Sequence, residues 1–198
     1  MPTPFIDRPT TPELDVRIKG RQGLGLVQLF EGHGKGKTTA AIGSIVRMVG
    51  AGKRAAMIYF DKGGDHYSER AVFDRLGVDW FAFGRDRIDP ITGRFDFSVT
   101  EEDRELGARA IEKMHELFLL DLYDLLVLDE VNSSCALGFV SEAAVLELLD
   151  CKPDRLELIL TGRNAPEFFR QRAHLVTEMQ LVKHYFYSGV KARAGVDF

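Results

Sequence analysis

Between Gly32 and Thr39 the chain reads Gly-His-Gly-Lys-Gly-Lys-Thr-Thr, a composition suited to holding a polyanion. Glycines at 32, 34 and 36 let successive backbone N–H groups converge on one set of oxygens. Lys37 adds a full positive charge and Lys35 a second, while the Thr38 hydroxyl can ligate Mg2+. His33 lies inside the loop and Thr39 follows at the start of a helical pattern. With a strand before it and a helix after it, this is a phosphate-binding loop for a nucleotide, with ATP as the expected ligand; the competing reading is a glycine-rich turn capped by a helix. Its first position departs from the usual spacing, which places a glycine five residues before Gly36, where this chain has Glu31.

Two further groups could act at the same place. Asp129 and Glu130 follow the apolar run 125–128, and in open α/β sheets ligands sit at the carboxyl ends of strands. Carboxylates there suit a metal bound to triphosphate, or the activation of water in an ATPase, or merely the capping of the next helix. Arg163 follows another apolar run in Thr-Gly-Arg, where a planar guanidinium can grip phosphate oxygens bidentately; a surface ion pair is its competing reading.

The elements that must position these groups alternate regularly. Apolar runs at 25–30, 55–60, 80–83, 125–128, 156–160 and 175–181 read as strands, and helical patterns fall at 37–49, 67–76, 101–118, after Ser141 and from Pro166 to about Ala173. Thr100 and Ser141 are placed to cap helices, and Glu101, Glu102 and Asp103 suit a first helical turn. Strand–helix alternation predicts an α/β fold of the P-loop NTPase (RecA-like) type, with a mainly parallel central sheet and helices on both faces. Residues 1–22, rich in proline and without a period, read as a mobile N-terminal arm, leaving 23–198 as a single domain.

Composition narrows the function classes. With 26 basic against 30 acidic residues the net charge is −4, so there is no general attraction for nucleic acid. Two cysteines without metal spacing predict neither a disulfide framework nor a zinc site, and the five histidines show no ligand spacing. No apolar run approaches the roughly 20 residues of a membrane span. A cytoplasmic protein is expected.

The run Glu31-Gly-His-Gly-Lys-Gly-Lys-Thr-Thr-Ala-Ala resembles the loop of the corrinoid adenosyltransferases of the cobalamin pathway. Similar segments continue in the same order: Arg47, Phe60-Asp-Lys-Gly63, Ser68-Glu-Arg70, Leu125-Leu-Val-Leu-Asp-Glu130, Ile159-Leu-Thr-Gly-Arg163, Leu181-Val-Lys-His184 and Gly189-Val-Lys-Ala-Arg-Ala-Gly-Val-Asp-Phe198. The resemblance thus spans about residue 25 to residue 198. A generic P-loop ATPase would share the loop and the Asp-Glu strand, but not Thr-Gly-Arg or the C-terminal segment.

What this resemblance implies is transfer of the 5′-deoxyadenosyl group of ATP to cobalt(I) of a reduced corrinoid, with release of triphosphate. Lys37, Glu130 and Arg163 would carry the reaction. Gly32 to Thr39, Arg47, Lys62 and Arg163 would bind ATP, in reversed orientation relative to ordinary P-loop ATPases, and Thr38, Asp129 and Glu130 would hold Mg2+. For Arg47 and Lys62 a solvent-facing position competes with the nucleotide role. Phe95 and Phe97 are spaced like a Phe-x-Trp pair of the family that displaces the lower cobalt ligand, although the larger Trp is here Phe; the alternative is one strand face packed on the core. A homodimer and a flavoprotein reductant are likewise implied. The rival function is a RecA-like ATPase that couples hydrolysis to a macromolecular partner.

Overall fold

The structure, a computed structural model, describes residues 14–87, 96 and 98–198. Phe95, Phe97 and residues 1–13 of the expected arm lie outside the described residues. Of the remainder of that arm, Val16–Ile18 forms one turn of 3-10 helix, and Arg17 donates to the carbonyls of Gln171 and Ala173 at 2.7 and 3.0 Å.

Six strands build one sheet: β1 (Val27–Glu31), β2 (Ala55–Tyr59), β3 (Asp79–Ala82), β4 (Leu125–Asp129), β5 (Glu157–Thr161) and β6 (Leu175–Glu178). Their order is β3-β2-β4-β5-β1-β6, and every pairing is parallel. The strand that leads into the phosphate loop is therefore separated from the strand that ends in Asp129 by one strand, β5. The expected α/β class and parallel sheet are what the chain forms.

Helices α1 (Lys37–Gly50), α2 (Glu69–Leu76), α3 (Glu101–Leu120), α4 (Val131–Ala136), α5 (Glu142–Asp150) and α6 (Glu167–Arg172) complete the fold. The core lies in two layers, because alternate residues of a strand face opposite sides. Along β2, Ala55, Met57 and Tyr59 pack with Ala41 and Ile45 of α1 and Phe73 of α2. Ala56 and Ile58 pack on the other side with Met114 of α3, Leu148 of α5 and Phe169 of α6. β2, β4 and β5 are buried along their whole length, which is why their central residues are apolar on both faces. By contrast, β6 is exposed at all four residues; it is an edge strand, shorter than the 175–181 run.

Local signals account for most helix boundaries. Thr100 and Asp103 form a reciprocal capping box at the start of α3, and the Ser141 side chain accepts from the Ala144 amide to cap α5. Gly77, in the left-handed region at φ 67°, closes α2. α2 starts at Glu69, two residues later than its pattern suggested, and α4 has only six residues, too few to show a helical period.

Candidate nucleotide site

β1 runs one residue beyond the usual start of a phosphate loop, and Glu31 is the reason. Its backbone pairs with Glu178 of β6, its carbonyl accepts from the Met179 amide at 2.8 Å, and its carboxylate, 5% exposed, takes an ion pair from Arg170 of α6 at 2.8 Å. The turn then begins at Gly32. A side chain at Gly34 would place its Cβ 2.6 Å from the Gln180 carbonyl oxygen and 2.7 Å from that of Met179, and the Gly34 amide donates to the latter at 2.7 Å. Gly32, at φ 99°, would meet the Met179 oxygen at 2.5 Å. These glycines let the loop lie flat against the backbone that follows β6.

Gly34→Ala therefore should push the loop off residues 179–180. The expected cost is roughly 1–3 kcal/mol of stability together with weaker ATP binding, read by thermal melting and calorimetry. Gly43→Ala, in open space on α1, is the control and should leave both unchanged or slightly improved.

The Lys37 amine, on a residue only 7% exposed, donates to the carbonyls of Gly32 and Gly34 at 2.7 and 2.9 Å. Burial pulls its pKa below the usual lysine value. Thr38 Oγ1 donates to Asp129 Oδ1 at 2.9 Å, and Thr161 Oγ1 donates to the same oxygen at 2.7 Å. Asp129 is fully buried. Lys62 completes this cluster, with its Nζ 2.9 Å from Thr38 Oγ1 and 2.5 Å from Asp129 Oδ2. Burial opposes the Lys62 charge, but Asp129 and Glu130 more than offset it and hold its pKa above the usual value.

Glu130 sits at φ 62° and ψ 14° at the start of α4, a left-handed conformation that costs a non-glycine residue energy and recurs at functional sites. Its amide donates to Thr161 Oγ1 at 3.0 Å, and its carboxylate accepts from Ser133 Oγ at 2.6 Å. Ser133 in turn accepts from the Arg163 amide at 2.9 Å. One serine thus fixes both the acidic residue and the turn that presents Arg163. Gly162, at φ 132°, admits this approach, since a Cβ there would meet the Ser133 nitrogen at 2.8 Å. The Arg163 side chain is exposed and makes no hydrogen bond or ion pair among the described residues.

These groups open on one cavity of about 620 Å3, lined by residues 33–39, Lys62, Glu130 and Arg163, and on its far side by Tyr185, Asp197 and Phe198. That volume suits a nucleotide-sized ligand. The C-terminal segment is tied down across the loop. Lys35 Nζ donates to Tyr185 Oη at 3.0 Å and to the Val196 carbonyl at 2.6 Å, and pairs with the Asp197 carboxylate. Tyr185 also donates to Asp197, and Ser68 Oγ donates to Phe198 O at 3.1 Å.

The site therefore gathers the expected loop, Lys62, Asp129, Glu130 and Arg163. It does not gather Arg47, which lies exposed in the last turn of α1 and off the cavity; ten residues of helix beyond Lys37 correspond to about 15 Å of rise. Several contributors carry no local signal in the sequence. Thr161, Ser133, Tyr185 and Asp197 act through contacts between segments distant in sequence. Arg70 works from behind: its guanidinium lies 4.8 Å from the ring centres of Tyr59, Tyr67 and Trp80 and donates to the carbonyls of Lys62 and Gly64 at 2.6 and 2.5 Å, so it holds the turn that presents Lys62.

A second charge cluster joins this turn to Arg85, Arg87, Asp96 and Asp103. Arg87 is buried between Asp61 and Asp103, at 2.5 and 2.9 Å, and Arg85 links Asp103 to Asp96 at 3.0 and 2.6 Å. Burial pushes the Asp61 carboxyl up to about 6 against the pull of Arg87, a guanidinium it shares with Asp103.

The family described as ATP:corrinoid adenosyltransferase BtuR/CobO/CobP matches residues 23–198, a stretch that includes every residue of the cavity wall. The chain belongs to that family. A corrinoid adenosyltransferase of Sinorhizobium sp. is 34% identical over 177 residues, covering 88% of this chain and 80% of that protein. Corrinoid adenosyltransferase CobA of Salmonella typhimurium is 32% identical over 188 residues, covering 93% and 92%. The Escherichia coli K12 corrinoid adenosyltransferase is 31% identical over 188 residues, covering 94% and 92%. Among the family's residues in this chain, Arg163 of the Thr-Gly-Arg turn and the 184–198 segment face the phosphate loop across one space.

Proposed function

We propose that this protein transfers the 5′-deoxyadenosyl group of ATP to cobalt(I) of a reduced corrinoid, in adenosylcobalamin biosynthesis or salvage. The observation that carries the reading is the convergence of Thr-Gly-Arg and the C-terminal segment on the phosphate-loop cavity. Those are the segments that a P-loop ATPase of another kind would not share.

The chemistry asks for positioning and for charge. Cobalt(I) supplies the electron pair of the new cobalt–carbon bond, and the C5′–O5′ bond breaks with its pair retained on the departing triphosphate. No base is required to activate the nucleophile. The protein must instead align C5′ with cobalt and stabilise the leaving charge. Lys37 and the loop amides meet the phosphates from below, and the Arg163 fork reaches them from the β5 side. Lys35 is available once it exchanges its tail partners for phosphate oxygens.

A divalent cation fits the donor set. Thr38, Asp129 and Glu130 are hard oxygen donors of the kind that Mg2+ prefers, and the first two already hold a cation in the form of the Lys62 ammonium. When bound, Mg2+ would neutralise triphosphate charge. Phe95 and Phe97 are assigned to the corrinoid, with Phe97 as the wedge against its lower ligand. Phe97→Ala should then slow turnover that starts from cobalt(II) at least tenfold, with a smaller loss when cobalt(I) is supplied; equal losses from both starting states would make Phe97 a packing residue. A cytoplasmic homodimer served by a flavoprotein reductant completes the proposal. Among the described residues no helix is long and apolar enough to cross a membrane.

The test is direct. ATP, a chemically reduced corrinoid and the protein should yield a light-sensitive cobalt–carbon product. Tight ATP binding with no such product from any corrinoid would defeat the reading.

A further inference from the structure

We propose that Lys62 is a built-in counter-cation which occupies the divalent-cation site, so that a metal ion enters only together with nucleotide and by displacing it. The proposal rests on the reading of Thr38 and Asp129 as metal ligands, and adds a role for the lysine that sits between them.

Three observations lead to it. First, the Lys62 ammonium touches the two side chains expected to hold the metal, donating to Thr38 Oγ1 at 2.9 Å and to Asp129 Oδ2 at 2.5 Å. The remaining oxygen of Asp129 accepts from the hydroxyls of Thr38 and Thr161, so both carboxylate oxygens are hydrogen-bonded and the charge is balanced without a metal. A divalent cation is disfavoured at these oxygens while the ammonium holds them, because the two cations repel at such short range.

Second, the arrangement is anchored at one end and free at the other. The Lys62 carbonyl is held by Arg70 at 2.6 Å, and the next residue, Gly63, donates to the Arg85 carbonyl at 3.2 Å. A Cβ on Gly63 would lie 2.2 Å from the Gly84 carbonyl oxygen, so the turn is wedged in place. The four-carbon stem of Lys62 can nevertheless change rotamer.

Third, Lys62 lines the cavity, so an ammonium released from Asp129 finds phosphate oxygens within its sweep. Nucleotide thus supplies what the displaced lysine needs, and the entering divalent ion supplies what Asp129 loses. Neither exchange is favourable alone. Metal binding becomes conditional on nucleotide, and Asp129 is never buried without a positive partner.

Mn2+ is the probe, followed by electron paramagnetic resonance on the wild type, Lys62→Met and Lys62→Arg, each with and without ATP and in the absence of corrinoid. Without nucleotide, Lys62→Met should bind Mn2+ at least tenfold more tightly than the wild type, and Lys62→Arg, which keeps a cation, should stay as weak as the wild type. Asp129→Asn added to Lys62→Met should abolish the gain. If Lys62→Met does not fold, Lys62→Gln, which removes the charge and keeps a donor, should show the same gain. Equal Mn2+ affinity of the wild type and the uncharged variant without nucleotide, with both holding Mn2+ when ATP is present, would overturn the counter-cation role and leave the metal site standing. Absence of protein-bound Mn2+ in every form, ATP included, would overturn the metal-site reading and this inference with it.

Discussion

Lys37→Ala should bind ATP at least 100-fold more weakly than the wild type, a loss of about 3 kcal/mol. The side chain has two functions that fail together. It supplies the charge that meets the phosphates, where charge-assisted hydrogen bonds are the strong ones. It also ties the carbonyls of Gly32 and Gly34 to each other from inside the loop, at 2.7 and 2.9 Å, so its removal leaves two buried carbonyls without their donor. Lys37→Arg should not restore binding, because a rigid planar fork cannot reproduce the single ammonium that meets the Gly32 and Gly34 carbonyls together from inside the loop. Calorimetric titration with ATP measures the affinity, and circular dichroism confirms the fold. An unchanged affinity in Lys37→Ala would refute the loop assignment.

The second large effect falls on stability. Asp129→Ala strips the acceptor from a lysine and two hydroxyls at once. Removing one partner of a buried ion pair costs roughly 3–5 kcal/mol, because the surviving charge is left uncompensated. In a chain of this size that corresponds to a melting temperature lower by roughly 6–20 °C. Adding Lys62→Met to Asp129→Ala should recover part of the loss, since the orphaned charge disappears with it. Urea denaturation of the two single variants and the double variant gives the coupling. A melting temperature for Asp129→Ala within a degree or two of the wild type would mean that Lys62 and Asp129 do not pair in solution.

How far the sequence reveals this site depends on the range of the contacts involved. The loop and the start of α1 are readable because their chemistry is contiguous: glycines, Lys37 and Thr38 act within a single turn of chain. Asp129 is readable because a strand buried on both faces leaves an apolar run that an acidic residue visibly ends. The position of Lys62 is not readable in the same way. It follows from the register that sets Tyr59 beside Asp129 across β2 and β4, which carries the turn after β2 over the Thr38 hydroxyl, and no local pattern encodes a register between strands about 70 residues apart. Arg47 illustrates the converse. Its place in a family motif suggested the nucleotide, but helix geometry carries it along α1 and away from the loop.

Glu31 lies between these cases. Its departure from the loop pattern was visible in the sequence; its cause, an ion pair with Arg170 and pairing with the exposed edge strand β6, required the fold. The shortness of β6 has a similar origin. After Glu178 the backbone turns to serve the loop, donating from Met179 to Glu31 and accepting from Gly34, so the apolar residues beyond it do not extend the sheet.

The fate of the ATP phosphates tests the central claim most directly. Incubated with ATP and cob(I)alamin, the protein should release triphosphate in amounts equal to the cobalt–carbon bonds formed, and release almost none when the reduced corrinoid is omitted. Formation of ADP and phosphate at the same rate with or without the corrinoid would contradict it.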